Sequence, residues 1–432
     1  MQHHLYDRLG PEEIRNLLKR PSSDLSTVTP VVKEIFEEVA ENGDRAVRSF
    51  TKRFDGSEPE SIGVSPREGE CAWESIPSDL RRAIDQAAGT IETFHRKQVP
   101  PAIDVETVPG VVCRREWRPI ERVGLYVPGG SAPLLSTALM LGVPALLAGC
   151  RDIVLCTPPG KTGTIAPAVL AAAWRIGLRT LYKVGGAQAV AAMALGTETI
   201  PRVDKIFGPG NRYVTAAKAL ASRPPLDVAI DMLAGPTELL VIADEAANPR
   251  DVAADLLSQA EHGEDSQVVL ISTSAELISR VATEVRGQLV DLPRSAIAAQ
   301  ALEKSFSLLV ESLDQAIAFS NQYAPEHLIL AVGDADRYAP EIMNAGSVFM
   351  GFRSSVVFGD YAAGTNHTLP TGGHARAAGG LTVESFMKPV FFQTVSGHGV
   401  QTLSPIVKTL ARAEGLEAHA RAAEIREAHP GD

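Results

Sequence analysis

The sequence is poor in aromatic residues and in cysteine. Aromatic side chains make up 5 % of the 432 residues, so the core of this chain must be mostly aliphatic. The four cysteines, Cys71, Cys113, Cys150 and Cys156, form no CxxC pair, and most of them lie in apolar runs. This pattern favours buried free thiols over disulfides, as expected for a protein of the cytoplasm.

An excess of positive charge and a long apolar run are also absent. Lys and Arg number 41 against 52 Asp and Glu, a net charge of −11, which argues against nucleic acid as the main partner. No run of about 18 apolar residues predicts a transmembrane helix, and the first eight residues have no apolar core of a signal peptide. The composition, 45 % hydrophobic and 22 % charged, excludes disorder over the whole length.

The predicted secondary structure changes at Arg122. Before this residue the chain reads as helical, and after it short β-rich runs alternate with alanine-rich helical stretches. The runs are Val123–Val127, Asp152–Cys156, Thr180–Val184, Lys205–Phe207, Asp227–Ile230, Leu239–Ala243, Val268–Ser272, Phe306–Val310 and Leu328–Val332. Such alternation predicts parallel sheets with helices on both faces. The number of runs predicts an α/β fold with two doubly wound, incomplete Rossmann-like domains.

The changes in predicted secondary structure along the sequence divide the chain into four parts. Residues 1–24 are expected to form an N-terminal helical arm. A main α/β domain is expected from residues 25–121 together with 239–381, and a Rossmann-like domain from residues 122–238. The tail at 382–432 loses the strand signal and carries too little apolar surface for a core of its own. We therefore expect a helical C-terminal tail that packs on another element or reaches a second chain.

Three glycine-rich turns each follow a predicted strand of the domain at 122–238. They are Val127–Pro133, Val184–Gln188 and Phe207–Asn211. On one interpretation each is a simple tight turn; on the other, three turns at strand ends aim backbone amides at the phosphates of a nucleotide. The sequence has no GxGxxG motif, so a dinucleotide site here would be an unusual one.

Side chains with the chemistry of metal ligands lie at three places. Gln259 and His262 are three residues apart in the last turn of a predicted helix and share a face. Asp360 and His367 lie in a polar, glycine-rich segment, and His419 lies on the predicted final helix. A lone His at a helix end is usually structural. Together, however, these side chains suit a borderline cation such as zinc.

Glu326 and His327 lie where a predicted helix meets a predicted strand. Neighbouring side chains on a straight strand point apart, but at a bend both can reach one cavity. The imidazole would then be a general base, and the carboxylate would activate water. A solvated pair at the start of a strand is the alternative interpretation.

Eight short segments match one known family, in the family's order over nearly the whole chain. They are Gly124–Pro133, Val184–Gln188, Gly208–Asn211, Asp231–Pro236, Gln259–His262, Pro325–His327, Gly359–Asp360 and Ala413–His419. Together they resemble the histidinol dehydrogenase family. The resemblance implies oxidation of L-histidinol to L-histidine through L-histidinaldehyde with two NAD+, the last step of histidine biosynthesis.

The resemblance also implies a metal and two catalytic residues. One zinc ion per subunit would be held by Gln259, His262, Asp360 and His419. In the family this metal positions the substrate rather than polarising the reacting oxygen. His327 would take the proton in both oxidations, and Glu326 would activate the water that hydrates the aldehyde.

Substrate, cofactor and subunit contacts follow from the same resemblance. Beyond the zinc ligands, the substrate would contact His327, Thr237 and Glu414. NAD+ would contact Tyr126, Gln188 and Asn211. The family is a homodimer whose tail histidine ligates the zinc of the partner's site, so active sites would be shared. The family usually has Ser where this chain has Thr237, which keeps the hydroxyl but restricts its rotamers.

Two other functions stay open from the sequence. One is a relative that oxidises another polyol, such as a sulfonated diol, with NAD+. Glu414 and the intact segment Ala413–His419 favour histidinol over this alternative. The other is a zinc-dependent binding or structural protein that has lost catalysis, and the presence of both Glu326 and His327 argues against it.

Overall fold

Two parallel sheets and one small antiparallel sheet form the framework of the chain. The computed structural model describes residues 1–20, 25–129 and 133–428. The strands are β1 (Gln2–Leu5), β2 (Ile103–Val108), β3 (Val111–Pro119), β4 (Arg122–Tyr126), β5 (Asp152–Thr157), β6 (Thr180–Lys183), β7 (Lys205–Phe207), β8 (Ala229–Ile230), β9 (Glu238–Ala243), β10 (Gln267–Ser272), β11 (Phe306–Leu309), β12 (His327–Ala331), β13 (Ser347–Met350) and β14 (Met387–Val395).

Sixteen α-helices cover these sheets within the same described ranges. They are α1 (Pro11–Leu17), α2 (Thr29–Asp55), α3 (Pro66–Ser75), α4 (Ser78–Arg96), α5 (Leu135–Ala148), α6 (Pro167–Arg175), α7 (Gly186–Leu195), α8 (Arg212–Ala221), α9 (Pro249–Ala260), α10 (Ala275–Leu289), α11 (Ser295–Glu303), α12 (Leu313–Tyr323), α13 (Ala335–Tyr338), α14 (Val356–Tyr361), α15 (Gly397–Ala413) and α16 (Glu417–Ala428). None of the described helices is both long enough and apolar enough to span a membrane.

The two parallel sheets share one strand order. The five-stranded sheet runs β6-β5-β4-β7-β8, and the six-stranded sheet runs β11-β10-β9-β12-β13 with β1 added beside β11. In each sheet the chain starts at a central strand, winds to one edge, and then returns to the other side, which is the doubly wound topology. The predicted α/β fold class is confirmed, and every predicted β-rich run overlaps a strand.

The sequence predicted helical extensions at both ends and helices before Arg122. Both predictions are wrong in part, because these regions also contain strands. β1 lies in the N-terminal arm and pairs in parallel with β11, some 300 residues away in the chain. β2, β3 and β14 form an antiparallel sheet in the order β14-β3-β2. These strands are half-exposed, so their pairing with distant partners, rather than an apolar run, decides their structure.

The first long helices pack against the five-stranded sheet. α2 packs on α7 and α8, α3 on α6, and α4 on α5, and their apolar residues join the clusters of that sheet's own helices. The sequence predicted instead that these helices belong with the six-stranded sheet. The domain boundaries stay a prediction, but residues 29–96 cover the other sheet.

The tail ends in two helices, α15 and α16, and Pro405 lies inside the first of them. α15 packs mainly on α16, and Ile406, Leu410 and Leu416 are exposed within a single chain. The tail therefore presents an apolar surface that this subunit leaves uncovered. Three stretches named in the sequence analysis, 21–24, 130–132 and the end from 429, lie outside the described residues.

A buried ion pair fixes the glycine turn after β7. Lys218 of α8 pairs with Asp231, and their side chains are 2 % and 1 % exposed. Asp231 accepts a hydrogen bond from the Gly208 N–H at 2.8 Å, and Lys218 donates to the Gly208 carbonyl at 2.8 Å. Gly208 has φ +119°, and a Cβ there would lie 2.1 Å from the carbonyl oxygen of Tyr126. Only glycine fits this position. The Lys218 ammonium and the Asp231 carboxylate hold it there through hydrogen bonds with its carbonyl and its N–H.

Replacing Lys218 with Met is expected to lower the free energy of unfolding by about 3–5 kcal/mol, because the buried carboxylate of Asp231 loses the cation with which it pairs. Urea unfolding would measure this change. Lys52→Met is the matched control, since Lys52 and Glu58 form an exposed pair, and its unfolding midpoint should not move. If Lys218→Met unfolded at the same urea concentration as the parent chain, the proposed role of the Lys218–Asp231 ion pair would be contradicted.

Candidate active site

A cavity of about 730 Å³ lies between the two parallel sheets. One wall comes from the carboxyl ends of strands in the five-stranded sheet, and the other comes from the amino ends of β9 and β12. The cavity is lined, among others, by Pro128, Asn211, Thr237, Gln259, His262, Glu326, His327, Asp360 and His367. Its volume is typical of a small-molecule site. Side chains more than 200 residues apart in the sequence therefore meet here.

Glu326 and His327 enter this cavity at a bend. Ala324 ends α12 with φ +52°, a left-handed conformation that is uncommon for a residue with a Cβ. The chain then enters β12 at His327. Glu326 and His327 are 7 % and 3 % exposed, so the solvated-pair interpretation is wrong.

The backbone of Glu238 holds both of these side chains. Its N–H donates to Glu326 Oε2 at 2.9 Å, and its carbonyl lies 3.0 Å from His327 Nδ1. Since a carbonyl only accepts, the proton of a neutral His327 is on Nδ1 and the lone pair is on Nε2. Nε2 is buried, has no hydrogen-bond partner within the described residues, and lies 3.6 Å from Asp360 Oδ1. This geometry suits a proton acceptor that meets its partner only when a substrate binds.

The three ionisable groups shift one another's pKa values. Burial raises the pKa of Glu326 to about 7. Burial opposes charge on His327 as well, but the Glu326 and Asp360 carboxylates outweigh it and hold the pKa of His327 above its ordinary value. Burial likewise opposes ionisation of Asp360, and His327 nevertheless holds the pKa of Asp360 below its usual value. Such coupled shifts are frequent where proton transfer occurs.

Two neutral side chains, Gln259 and Thr237, lie between Asp360 and Glu326. Gln259 Nε2 donates to Asp360 Oδ2 at 3.2 Å. The single hydroxyl proton of Thr237 is donated to Glu326 Oε2 at 2.7 Å, the shorter of its two contacts, and Gln259 Oε1 lies 3.2 Å from the same hydroxyl. The hydroxyl that Thr237 shares with Ser is therefore the group that contacts the Glu326 carboxylate.

Three of the four predicted metal ligands meet in the cavity. α9 begins at Pro249 behind the capping side chain of Asn248, and its end brings Gln259 and His262 to the cavity that Asp360 also lines. Within the part of the chain that the structure describes, no group of three or more His, Cys, Asp or Glu side chains is placed to hold a metal. An amide, an imidazole and a carboxylate are nevertheless oxygen and nitrogen donors that suit zinc with a further ligand from elsewhere.

Three further residues are candidates for binding the metal or the substrate. One of them lines the cavity, and two do not. His367 lines it, and its Nδ1 lies 3.0 Å from the Asp360 carbonyl. Glu414 and His419 are exposed on the tail and are absent from the lining residues. A single chain thus does not bring them to Gln259, His262 and Asp360.

The predicted cofactor residues surround the carboxyl edge of the five-stranded sheet. Asn211 lines the cavity and caps α8, accepting from the N–H groups of Tyr213 and Val214. Tyr126 accepts from the Gly186 N–H at 3.1 Å. Gln188 is 1 % exposed, and neither its amide nitrogen nor its amide oxygen has a partner among the described residues. A buried, unpartnered amide at the start of α7 fits a site for a polar ligand such as a nucleotide.

Glu238 was not predicted from the sequence, although its backbone holds the side chains of Glu326 and His327. Its carboxylate is 3 % exposed and pairs with Arg20. A signal was present, because Glu238 is a charged residue at the head of the apolar run that forms β9. Lys and Glu are almost never fully buried unless they are paired. Arg20 itself carried no signal, because a basic residue after a short helix is ordinary.

Comparisons with known proteins agree on one family. A family model described as histidinol dehydrogenase matches residues 18–427. A histidinol dehydrogenase of Xanthomonas euvesicatoria is 52 % identical over 410 residues, 95 % of each chain, and one of Bacteroides thetaiotaomicron is 49 % identical over 415 residues, 96 % of each. A crystal structure of histidinol dehydrogenase from Elizabethkingia anophelis matches with a TM-score of 0.94 at 49 % identity, covering 99 % of this chain and 98 % of the other.

Proposed function

This chain belongs to the histidinol dehydrogenase family, and we propose that it oxidises L-histidinol to L-histidine through L-histidinaldehyde with two NAD+. This reaction is the last step of histidine biosynthesis. The observation that carries the proposal is the buried pair Glu326–His327: among the described residues His327 Nε2 has no hydrogen-bond partner, and it faces the cavity beside Asp360. The relatives are named for histidinol, so oxidation of another polyol is not favoured. A buried base also argues against a protein that has lost catalysis.

We propose one zinc ion per subunit, held by Gln259, His262 and Asp360 of one chain and by His419 of the second subunit. Bound there, zinc would hold the substrate through its imidazole and amine nitrogens. The proposal is supported by the three donors that share the cavity and by the absence of a thiolate, since nitrogen and carboxylate ligands leave the ion able to accept further nitrogen donors.

The chain's own residues supply the proton transfers. His327 Nε2 takes the hydroxyl proton of L-histidinol while the carbon-bound hydrogen leaves as hydride to NAD+, which yields the aldehyde. Glu326 takes a proton from water as the water adds to the aldehyde, and His327 returns its proton to the former carbonyl oxygen, which gives the hydrate and a neutral His327. After Glu326 releases its proton to solvent, His327 takes a hydroxyl proton of the hydrate while a second hydride leaves to the second NAD+, which yields L-histidine. Thr237 and the Glu238 N–H hold the Glu326 carboxylate in place throughout.

Tyr126, Gln188 and Asn211 are proposed to bind NAD+, which supplies the hydride acceptor. Gln188 supports this assignment because its buried amide needs hydrogen-bond partners. The turns that carry Gln188 and Asn211 follow β6 and β7 at the carboxyl edge of a doubly wound sheet, the usual place for a nucleotide. Glu414 is proposed to contact the substrate from the tail.

We further propose that the enzyme is a cytoplasmic homodimer with shared active sites. The exposed apolar residues of α15, Ile406 and Leu410 among them, support a partner surface. His419 and Glu414 are exposed in one chain, so they are available to a second chain's cavity. An exchange of tails about a two-fold axis would complete both sites at once.

The parent chain, supplied with zinc and NAD+, is expected to form two NADH per L-histidinol. His327→Asn should lower turnover by about 10²–10⁴-fold, the usual contribution of a general base. Its zinc content, measured by metal analysis, should stay near that of the parent. His3→Asn, on the exposed face of β1, is the matched control and should keep full turnover. Near-normal turnover in His327→Asn would contradict the base assignment, and a parent chain inactive on L-histidinol would contradict the function.

Glu326→Gln is expected to slow the conversion of aldehyde to acid more than the oxidation of the alcohol, because only the first of these needs an activated water. The two half-reactions can be separated by supplying L-histidinaldehyde directly. Equal losses on both half-reactions would rule out the proposed role of this carboxylate.

Gln259→Ala and His419→Ala, each inactive alone, are expected to complement one another after joint refolding. In a mixed dimer with exchanged tails, one site receives both lesions and the other receives neither. With random pairing, activity should return to about a quarter of the parent value. Mixed dimers must be verified with two affinity tags. If verified mixed dimers stay inactive, the ligands do not come from two chains.

A further inference from the structure

Arg20 makes an unusually complete set of contacts for a residue in an N-terminal arm. Its Nε and Nη2 atoms lie 2.9 Å and 3.1 Å from the two carboxylate oxygens of Glu238, a bidentate ion pair. The guanidinium also stacks 3.3 Å above the centre of the Tyr323 ring. The two side chains of the ion pair are 12 % and 3 % exposed. A bidentate, stacked arginine is a geometry that lysine cannot reproduce.

The same guanidinium holds the bend that leads to the catalytic pair. Its Nη2 donates to the carbonyl of Tyr323 and lies 3.3 Å from the carbonyl of Ala324. Ala324 is the residue in the left-handed conformation, and Glu326 and His327 follow two and three residues later. Such a backbone persists only where its surroundings hold it.

The partner of Arg20 is the residue whose backbone orients both catalytic side chains. The Glu238 N–H binds Glu326, and its carbonyl binds His327. Its carboxylate also accepts from the Gly372 N–H at 2.7 Å. Arg20 therefore holds the backbone on two sides of Glu326 and His327, at the start of β9 and at the end of α12. It does not itself line the 730 Å³ cavity.

We propose that Arg20 is a positioning residue for the reaction, acting through Glu238 and the Tyr323–Ala324 carbonyls on Glu326 and His327. This proposal rests on the proposed function of these two residues. Because Arg20 touches neither substrate nor cofactor, its loss should change turnover rather than binding. A shift of about 1 Å in a catalytic group can cost about 100-fold in rate.

Arg20→Ala is expected to lower kcat by about 10–100-fold, while KM for L-histidinol and for NAD+ stays within about two-fold. Free guanidinium, well below denaturing concentration, should restore several-fold of the lost kcat. A second cavity, of about 240 Å³ and lined by Arg20, Thr237 and Glu238, gives it access. A purely structural lesion would not respond to guanidinium. A folded Arg20→Ala with parental kcat, or with a loss that guanidinium leaves unchanged, would overturn the proposal.

Arg175→Ala is the matched control. Arg175 also pairs with a carboxylate, Asp85, and lies over an aromatic ring, Trp73, but on the surface. It should keep parental kcat with or without guanidinium. Should Arg20→Ala fail to fold, Arg20→Lys keeps the charge and the alkyl chain without the bidentate geometry. It should show the same loss of kcat with KM retained, and parental kcat would overturn the proposal.

Hydrogen exchange separates this proposal from the proposed function. In the folded Arg20 variant, peptides that contain Glu238 and His327 should exchange faster than in the parent chain, and in Arg175→Ala they should not. This readout does not depend on activity. Unchanged exchange would overturn the role of Arg20 even if the parent chain were inactive on L-histidinol, a result that would itself contradict only the proposed function.

Discussion

The active site depends on the position of one peptide segment, the backbone of Glu238 at the start of β9. β9 lies between β10 and β12 in the six-stranded sheet, and the parallel ladder sets His327 opposite Leu239. This register brings the Glu238 N–H to Glu326 and its carbonyl to His327. The tautomer of a neutral His327 and the direction of the Glu326 carboxylate are thus consequences of strand pairing, which positions side chains more precisely than a loop would.

The cavity lies between two sheets of the same topology. The strands of one sheet face it with their carboxyl ends, and the strands of the other face it with their amino ends. The five-stranded sheet contributes the carboxyl ends of its strands, where glycine turns and helix N-termini present free N–H groups to a ligand. The six-stranded sheet contributes the amino ends of β9 and β12, where Thr237, Glu326 and His327 lie. In the proposed function, the first sheet recognises the cofactor, the second supplies the groups for proton transfer, and the chemistry occurs between them.

Buried polar groups in this chain fall into two kinds. Lys218 and Asp231 satisfy one another and two backbone groups of a glycine turn, so they stabilise the fold. Gln188 and Nε2 of His327 are buried without a partner in the described part of the chain, at a cost in stability that a purely structural role would not explain. Both of these groups lie at positions where the family resemblance implies a ligand.

The sequence by itself determined the parallel strands, because a buried strand between two helices leaves a short apolar run that periodicity detects. It also predicted Gln259, His262 and Asp360 as donors and Glu326–His327 as a base with a carboxylate, because residue type alone limits that chemistry. Tertiary structure decided the rest. β1 and β14 form only because distant strands pair with them, and residues 29–96 cover a sheet that their own pattern does not specify. Arg20 reaches Glu238 across 218 residues; the charge at the head of β9 signals a buried partner, but no local signal identifies Arg20 as that partner.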